Sequence, residues 1–563
     1  MIWFVSALVA WSVPLAPQQS QPRDKVTVGT GTVLGIVTDA RTGLPISGAR
    51  VQISGTTRPE RPEVVTDGEG QYVFSGIAAG RYSIGVKRGG YFDGAAGQRA
   101  PLGAGTSIAI SEGERRSVPV ISLVKPAGIT GTIVDEAGEP VVKLEVRAYT
   151  RTFAGGRPHY AEAGSGLTDD RGVYRIGRLL AGDYIVGVPV TRPRIAGEAG
   201  ADDGTMPRDG GAVSQLPPAS NGRAQVFQGA YFPTGVAASY ASAMTVAFGE
   251  TRRNVDVQVR MAPAFRITGS VLLPPGVKSS ARIRLTTVDE DAFEGSEIAS
   301  VAVSDGGTFA VGGVPPGQYM LRVETPEAWA AEIIAVVDAD LNDVRLQARG
   351  PMRMSGRVTF DGTQAEPDAE ASQQLQISVE RADGLPMLKK PEVTLDRTGR
   401  NFVIDGLRPG RYVVGIDRGL AGWFLRSAMY QGRDVSQSAL ELTSSDVSGL
   451  SIVLTNRTSS IEGRVTGTDE TAKVTVFVFP QDSQRWVDFG AQGRGLVSTP
   501  LRGNNFNITD LPPGDYYAVA TEGDPSIAWR EPSFLQAASR VATTVRVTEG
   551  VPAQIELKVT IVR

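Results

Sequence analysis

Residues Asp396 to Val414 read Asp-Arg-Thr-Gly-Arg-Asn-Phe-Val-Ile-Asp-Gly-Leu-Arg-Pro-Gly-Arg-Tyr-Val-Val. An Asp-x-x-Gly turn leads into a strand whose Phe402 and Ile404 alternate onto one buried face. Leu407-Arg408-Pro409-Gly410 then breaks that strand and Tyr412 opens the next. The pattern returns at Asp67 to Val86, Asp170 to Val188, Asp305 to Val323 and Arg502 to Val519, with second strands starting at Tyr82, Tyr184, Tyr319 and Tyr516. Five copies of one hairpin element set the architecture. The tyrosine is placed to anchor its corner by a hydroxyl bond to nearby backbone.

Composition agrees. A chain of 563 residues exceeds one core, and typical domain sizes of roughly 100 to 150 residues suggest about four or five units. With 67 Gly, 35 Pro and 7% aromatic residues, the sequence suits short strands and many turns better than helices. A net charge of -3 with no basic stripe gives no field for nucleic acid. There is no Cys, so disulfides, thiolate metal sites, cysteine nucleophiles and a lipoprotein cysteine are all excluded.

Met1 to Ala16 is an apolar run followed by Gln18-Gln19-Ser20-Gln21, which suits a secretory leader over residues 1–20 although no Lys or Arg precedes Arg23. No later stretch approaches the ~20 apolar residues of a membrane helix, so no integral membrane segment is expected after it. The expected location is extracytoplasmic: periplasmic, cell-surface or secreted.

Along the chain, openings such as Met354-Ser355-Gly356-Arg357-Val358 and Ile461-Glu462-Gly463-Arg464-Val465 place a Gly two residues before a β-branched residue. The expected fold is all-β, a tandem array of about five immunoglobulin-like sandwiches at 31–126, 127–264, 265–351, 352–458 and 459–563. Junctions of a few residues predict a semi-rigid rod. Residues 191–225 lack a hydrophobic period and are expected to form a mobile insertion.

The strand Gly-x-Val, then Asp-x-x-Gly-x-Tyr/Phe-x-Phe/Ile, then Gly-Leu-x-Pro-Gly-x-Tyr resembles the carboxypeptidase regulatory-like domain. The fit is best at Gly406 to Tyr412 and Leu511 to Tyr516, and loosest where Ala replaces Pro before Gly80 and Gly182. The resemblance implies a transthyretin-like sandwich in accessory, non-catalytic modules likened to carbohydrate-binding domains. A polysaccharide is the partner it implies; the short junctions suit, as an alternative, a structural or adhesive spacer with a cell-surface protein partner and no small ligand.

No enzyme and no cofactor are expected. The only histidine, His159, stands beside Arg157-Pro158 in an expected exposed loop, too little for a metallopeptidase zinc site or a triad. Asp169-Asp170, Asp202-Asp203 and Asp289-Glu290-Asp291 read as turn and loop carboxylates, with Asp170 at the repeated turn position. Asp338 to Asp343 starts like a calcium loop but has Asp343 where Gly is needed and Arg349 where a bidentate Glu is needed, so no metal site is expected. An isopeptide pairing of Lys143 with Asn254 is conceivable and none is expected.

Aromatic spacing supplies the binding candidates. Tyr91-Phe92, Trp329, Trp423 and Trp529 follow the hairpin tyrosines at nine to thirteen residues, and Trp486 sits in the polar stretch Gln484-Arg485-Trp486-Val487-Asp488. Trp329, Trp423, Trp486 and Trp529 either stack on sugar rings from loop ends or cap the core and pack between units.

Overall fold

A computed structural model describes residues 29–55, 62–98, 100–190, 222–235, 240–277, 280–288, 297–387, 389–467, 474–501, 503–522 and 527–562. The expected leader, most of the 191–225 insertion, Asp202-Asp203 and Asp289-Glu290-Asp291 lie outside them.

Among the described residues the strands form eleven sheets, and one plan recurs along the chain. An opening strand sits at the centre of the first sheet, antiparallel to the first hairpin strand and parallel to a closing strand. Met352–Asp361 runs between Asn401–Leu407 and Val447–Thr455 in this way. Gly31–Asp39, Phe265–Leu272 and Ser460–Thr466 are placed alike. The second sheet centres on the tyrosine strand, so that Gly410–Arg418 pairs with Gln376–Arg381, and Gly514–Glu522 with Val474–Pro480.

Alternation puts the apolar residues of both sheets on facing sides. Phe402 and Ile404 of the first sheet and Tyr412 and Val414 of the second meet in one buried cluster. These are β-sandwiches. No helix among the described residues is long and apolar enough to cross a membrane.

The opening glycine is required by close approach. A Cβ on Gly356 would collide with the Leu450 carbonyl of the parallel closing strand and stand 2.7 Å from the ring of Phe402. Five tyrosine hydroxyls donate to the carbonyl four residues earlier. They are Tyr82 to Ala78 (2.9 Å), Tyr184 to Leu180 (2.8 Å), Tyr319 to Pro315 (2.7 Å), Tyr412 to Arg408 (2.9 Å) and Tyr516 to Pro512 (2.7 Å). Each bond closes the turn that carries the chain from one sheet to the other.

The preceding turn corrects a register. Asp169, not Asp170, accepts the N–H groups of Arg171 and Val173, at 3.0 and 2.8 Å, as Asp396 accepts those of Thr398 and Arg400. In the third copy Ser304, not Asp305, fills the position and accepts from Thr308 N–H at 3.0 Å. The acceptor must stand three residues before the glycine, which counts to Asp169 and Ser304.

Contacts divide the chain into two compact units, Met1–Ala127 with Ala247–Glu250, and Gly128–Val246 with Thr251–Arg563. Within the second unit, Arg157 pairs with Asp488, 331 residues away, so the stretches at 127–264 and 459–563 touch without being neighbours in sequence. The expected rod does not hold there, because a loop described below reaches across.

Two tyrosines test the core chemistry. Tyr72 faces Gly35, the place Phe402 takes opposite Gly356, and its buried hydroxyl has no partner; burial pushes it up to about 12. Tyr174, also buried, donates to the Val255 carbonyl at 2.7 Å. Tyr72→Phe is therefore expected to leave stability unchanged or raise it, whereas Tyr174→Phe lowers it by about 1 kcal/mol. Urea unfolding of the two variants checks the difference in sign.

Candidate functional site

The residues after Val474–Pro480 build the junction. Asp482 caps a short 3-10 helix, Ser483–Trp486, by accepting from Gln484 N–H at 3.0 Å. The Trp486 ring, 5% exposed, packs against Phe479, and its Nε1 donates to the Pro480 carbonyl at 2.8 Å. Beyond it the backbone is left-handed at Asp488 and Gly490. This conformation turns peptide groups outward: Asp488 N–H donates to the Gly155 carbonyl (2.6 Å), Gly490 N–H to the Ala382 carbonyl (2.9 Å) and Ala491 N–H to Glu380 (2.8 Å).

Opposite this loop stands the hairpin Glu145–Ala154 and Arg157–Leu167. Its two-residue turn, Gly155-Gly156, has φ values of 53° and 76°, the positive pair that a twisted tight hairpin requires. A Cβ on Gly156 would strike the Trp486 carbonyl.

Asp488 is the centre of the junction. Arg157 grips it with two bonds, Nε to Oδ1 at 2.5 Å and Nη2 to Oδ2 at 2.8 Å, and Arg411 adds one to Oδ2 at 2.6 Å. Burial pushes this carboxyl up, but the two guanidinium groups outweigh burial and hold it below its ordinary value. Arg157 and Arg411 belong to strands of two different sheets, and Asp488 to the loop that follows a strand of a third.

These three residues border a cavity of about 830 Å³ inside the second unit, within the usual range for ligand pockets. Pro158 and His159 line one side, Met320 and Trp329 another, Met387 a third, and the corner residues Arg408 to Tyr412 a fourth. Six cationic side chains, Arg157, Arg322, Arg381, Lys389, Arg408 and Arg411, face three carboxylates, Glu324, Asp383 and Asp488. Arg381 pairs with Asp383, and Arg408 with Glu324 at 3.2 Å. Two polar atoms of lining residues are buried without a hydrogen-bond partner, His159 Nε2 and Trp329 Nε1.

The predicted tryptophans separate. Trp329 lines the cavity and is partly exposed. Trp423 is 3% exposed and meets Phe360 edge-on at 4.9 Å; Trp529 is 8% exposed against Phe477 at 5.2 Å. With Trp486, these rings belong to the cores and present no free face for a sugar. In the first unit Phe92 is buried, and Tyr91 donates to Asp39 at 2.9 Å, where Lys125 at 3.0 Å and two backbone N–H groups also bind. That carboxylate is fully occupied and reads as a clasp.

His159 is not on an exposed loop. It is 9% exposed and pairs with Thr152 in the hairpin, because the Gly155-Gly156 turn starts the strand at Arg157. Two of the calcium-like residues are already engaged: Asp340 accepts from Arg266 N–H and Arg223, both at 3.1 Å, and Asn342 bonds Thr268 at 3.0 Å. The Asp488 clasp and the arginines around the cavity went unrecognised in the sequence. The signals were Gly155-Gly156 between β-like runs and the charged flank of Trp486.

Residues 32–117 match the carboxypeptidase regulatory-like domain. That regulatory-like domain holds the first tyrosine corner, at Tyr82, and the glycine facing Tyr72. No curated protein matches the chain. Among solved structures, the Bacillus anthracis TIE protein is 15% identical over 57% of this chain and 51% of its own, with a TM-score of 0.17, so this chain spans about half of that one. GBS52, the minor pilin of Streptococcus agalactiae, is 13% identical over 44% of this chain and 100% of its own, at 0.21. BcpA, the major pilin subunit of Bacillus cereus, is 11% identical over 57% and 99%, at 0.16. Scores of this size transfer neither arrangement nor role.

A lowered carboxyl contributes stability that is present above its unfolded value, about 4, and is lost as pH falls through its folded value. Asp488→Asn is expected to destabilise the second unit by about 1–2 kcal/mol at neutral pH, below the cost for a fully buried pair because both arginines are half exposed. The gap to the parent chain closes in acid. Urea unfolding at neutral pH and at about pH 3 checks it.

Proposed function

We propose that the chain is an exported, non-enzymatic binding protein that takes a saccharide chain in the cavity beside Trp329. The observation that carries this reading is the cavity itself: large enough for a ligand, lined by one partly exposed indole, and bounded by side chains from four stretches far apart in sequence. Export rests on the apolar run Met1 to Ala16. The non-catalytic reading is supported by His159, the one imidazole, whose buried Nε2 has no hydroxyl or carboxylate partner among the described residues.

A second reading is a structural or adhesive scaffold with a protein partner. It is favoured by the Asp488 junction, which ties three distant stretches of the chain together and suits a part that bears load.

Affinity electrophoresis through gels cast with different polysaccharides tests the first reading. Trp329→Ala is expected to abolish retardation while the protein stays folded. Trp423→Ala and Trp529→Ala, which empty cores, are expected to cost about 3–5 kcal/mol of stability. Retardation that survives Trp329→Ala, or no retardation by any polysaccharide, contradicts the proposal.

A further inference from the structure

We infer that the cavity selects an acidic saccharide, one whose sugar rings carry carboxylate or sulfate groups, over a neutral one. The inference rests on reading the cavity as the saccharide site and adds the chemistry of its ligand.

Charge is the first ground. The chain as a whole carries a net charge of -3, yet the lining has six cationic side chains against three carboxylates. Enclosure between low-dielectric walls strengthens the field of that surplus at the cavity compared with the open surface.

The second ground is independent of charge counting. His159 Nε2 and Trp329 Nε1 are both buried and both lack a partner, although buried polar atoms nearly always find one. The indole N–H can only donate, so its missing partner is an acceptor. An imidazole with its proton on Nε2 asks for the same. The fixed indole donor, joined by the imidazole in its Nε2-protonated form, beside guanidinium groups whose fork matches a carboxylate, suits an oxyanion carried on a ring. The partly exposed indole supplies the apolar surface for that ring. Arg157, Arg381, Arg408 and Arg411 are already held by the protein's own carboxylates, so they supply positive potential and need not move to do so.

Isothermal titration of the full chain with oligogalacturonate, a neutral linear glucan oligomer and oligoglutamate tests the inference. Oligogalacturonate is expected to bind more tightly than the glucan, and its affinity to fall with added salt while the glucan's does not. Trp329→Phe keeps the ring and removes the N–H. It is expected to weaken oligogalacturonate about tenfold and leave the glucan unchanged, and His159→Phe to act in the same direction. Unfolding curves of both variants confirm that they are folded. Equal, salt-insensitive binding of both sugars would overturn the inference while sparing the saccharide reading. Binding of neither sugar would overturn both, and binding of oligoglutamate alone would assign the cavity to an acidic protein partner instead.

Discussion

A tyrosine hydroxyl donating to the carbonyl four residues earlier is the contact on which the architecture depends. It occurs at Tyr82, Tyr184, Tyr319, Tyr412 and Tyr516, each time at the turn where the chain leaves one sheet and enters the other. The ring fills the core while the hydroxyl satisfies a turn carbonyl that the sandwich would otherwise bury without a partner. Where the corner is fixed, the tyrosine strand has one register against its neighbour, and the two inner faces can only meet in one way. The glycine of the opening strand completes the arrangement by letting the parallel closing strand approach.

What distinguishes the second unit is built on top of these corners. Arg411 lies one residue before Tyr412 and Arg408 carries the carbonyl that Tyr412 binds, so the Tyr412 corner aims its own arginines at the cavity. The loop from Asp482 supplies Asp488, and the glycine-turned hairpin of Glu145–Ala154 and Arg157–Leu167 supplies Arg157. Three stretches far apart in sequence thus meet on one carboxylate. The cavity is the space that these rigid parts leave beside Trp329, which explains why a scaffold motif and a candidate binding site share residues.

Much of this was legible locally. Turn chemistry is decided within a few residues, so Asp396, Gly399, Pro409, Gly410 and Tyr412 announce their hairpin, and the alternation of Phe402 and Ile404 announces its buried face. The register of Asp169 and Ser304 was misread by one position because adjacent Asp170 and Asp305 offer the same chemistry one step too late. The tryptophans show the limit of spacing: Trp423 and Trp529 follow their tyrosines at 11 and 13 residues, close to the 10 of Trp329, yet Phe360 and Phe477 cover them. Gly155-Gly156 and the charged flank of Trp486 mark the two sides of the junction but not their pairing, since a salt bridge between residues 331 apart has no periodicity to detect. Within the second unit, the expectation that only sequence neighbours touch failed for that reason.

Asp488 fixes the hairpin of Glu145–Ala154 and Arg157–Leu167 against the loop that follows Val474–Pro480. Because the chain has no Cys, spin labels can be attached to cysteines introduced only at Arg151 and Ser483, both exposed and one on each side of the junction. Distance measurement by pulsed electron resonance is expected to give a single narrow distribution, which broadens when Asp488 is replaced by Asn. A broad or bimodal distribution in the parent chain would contradict the account.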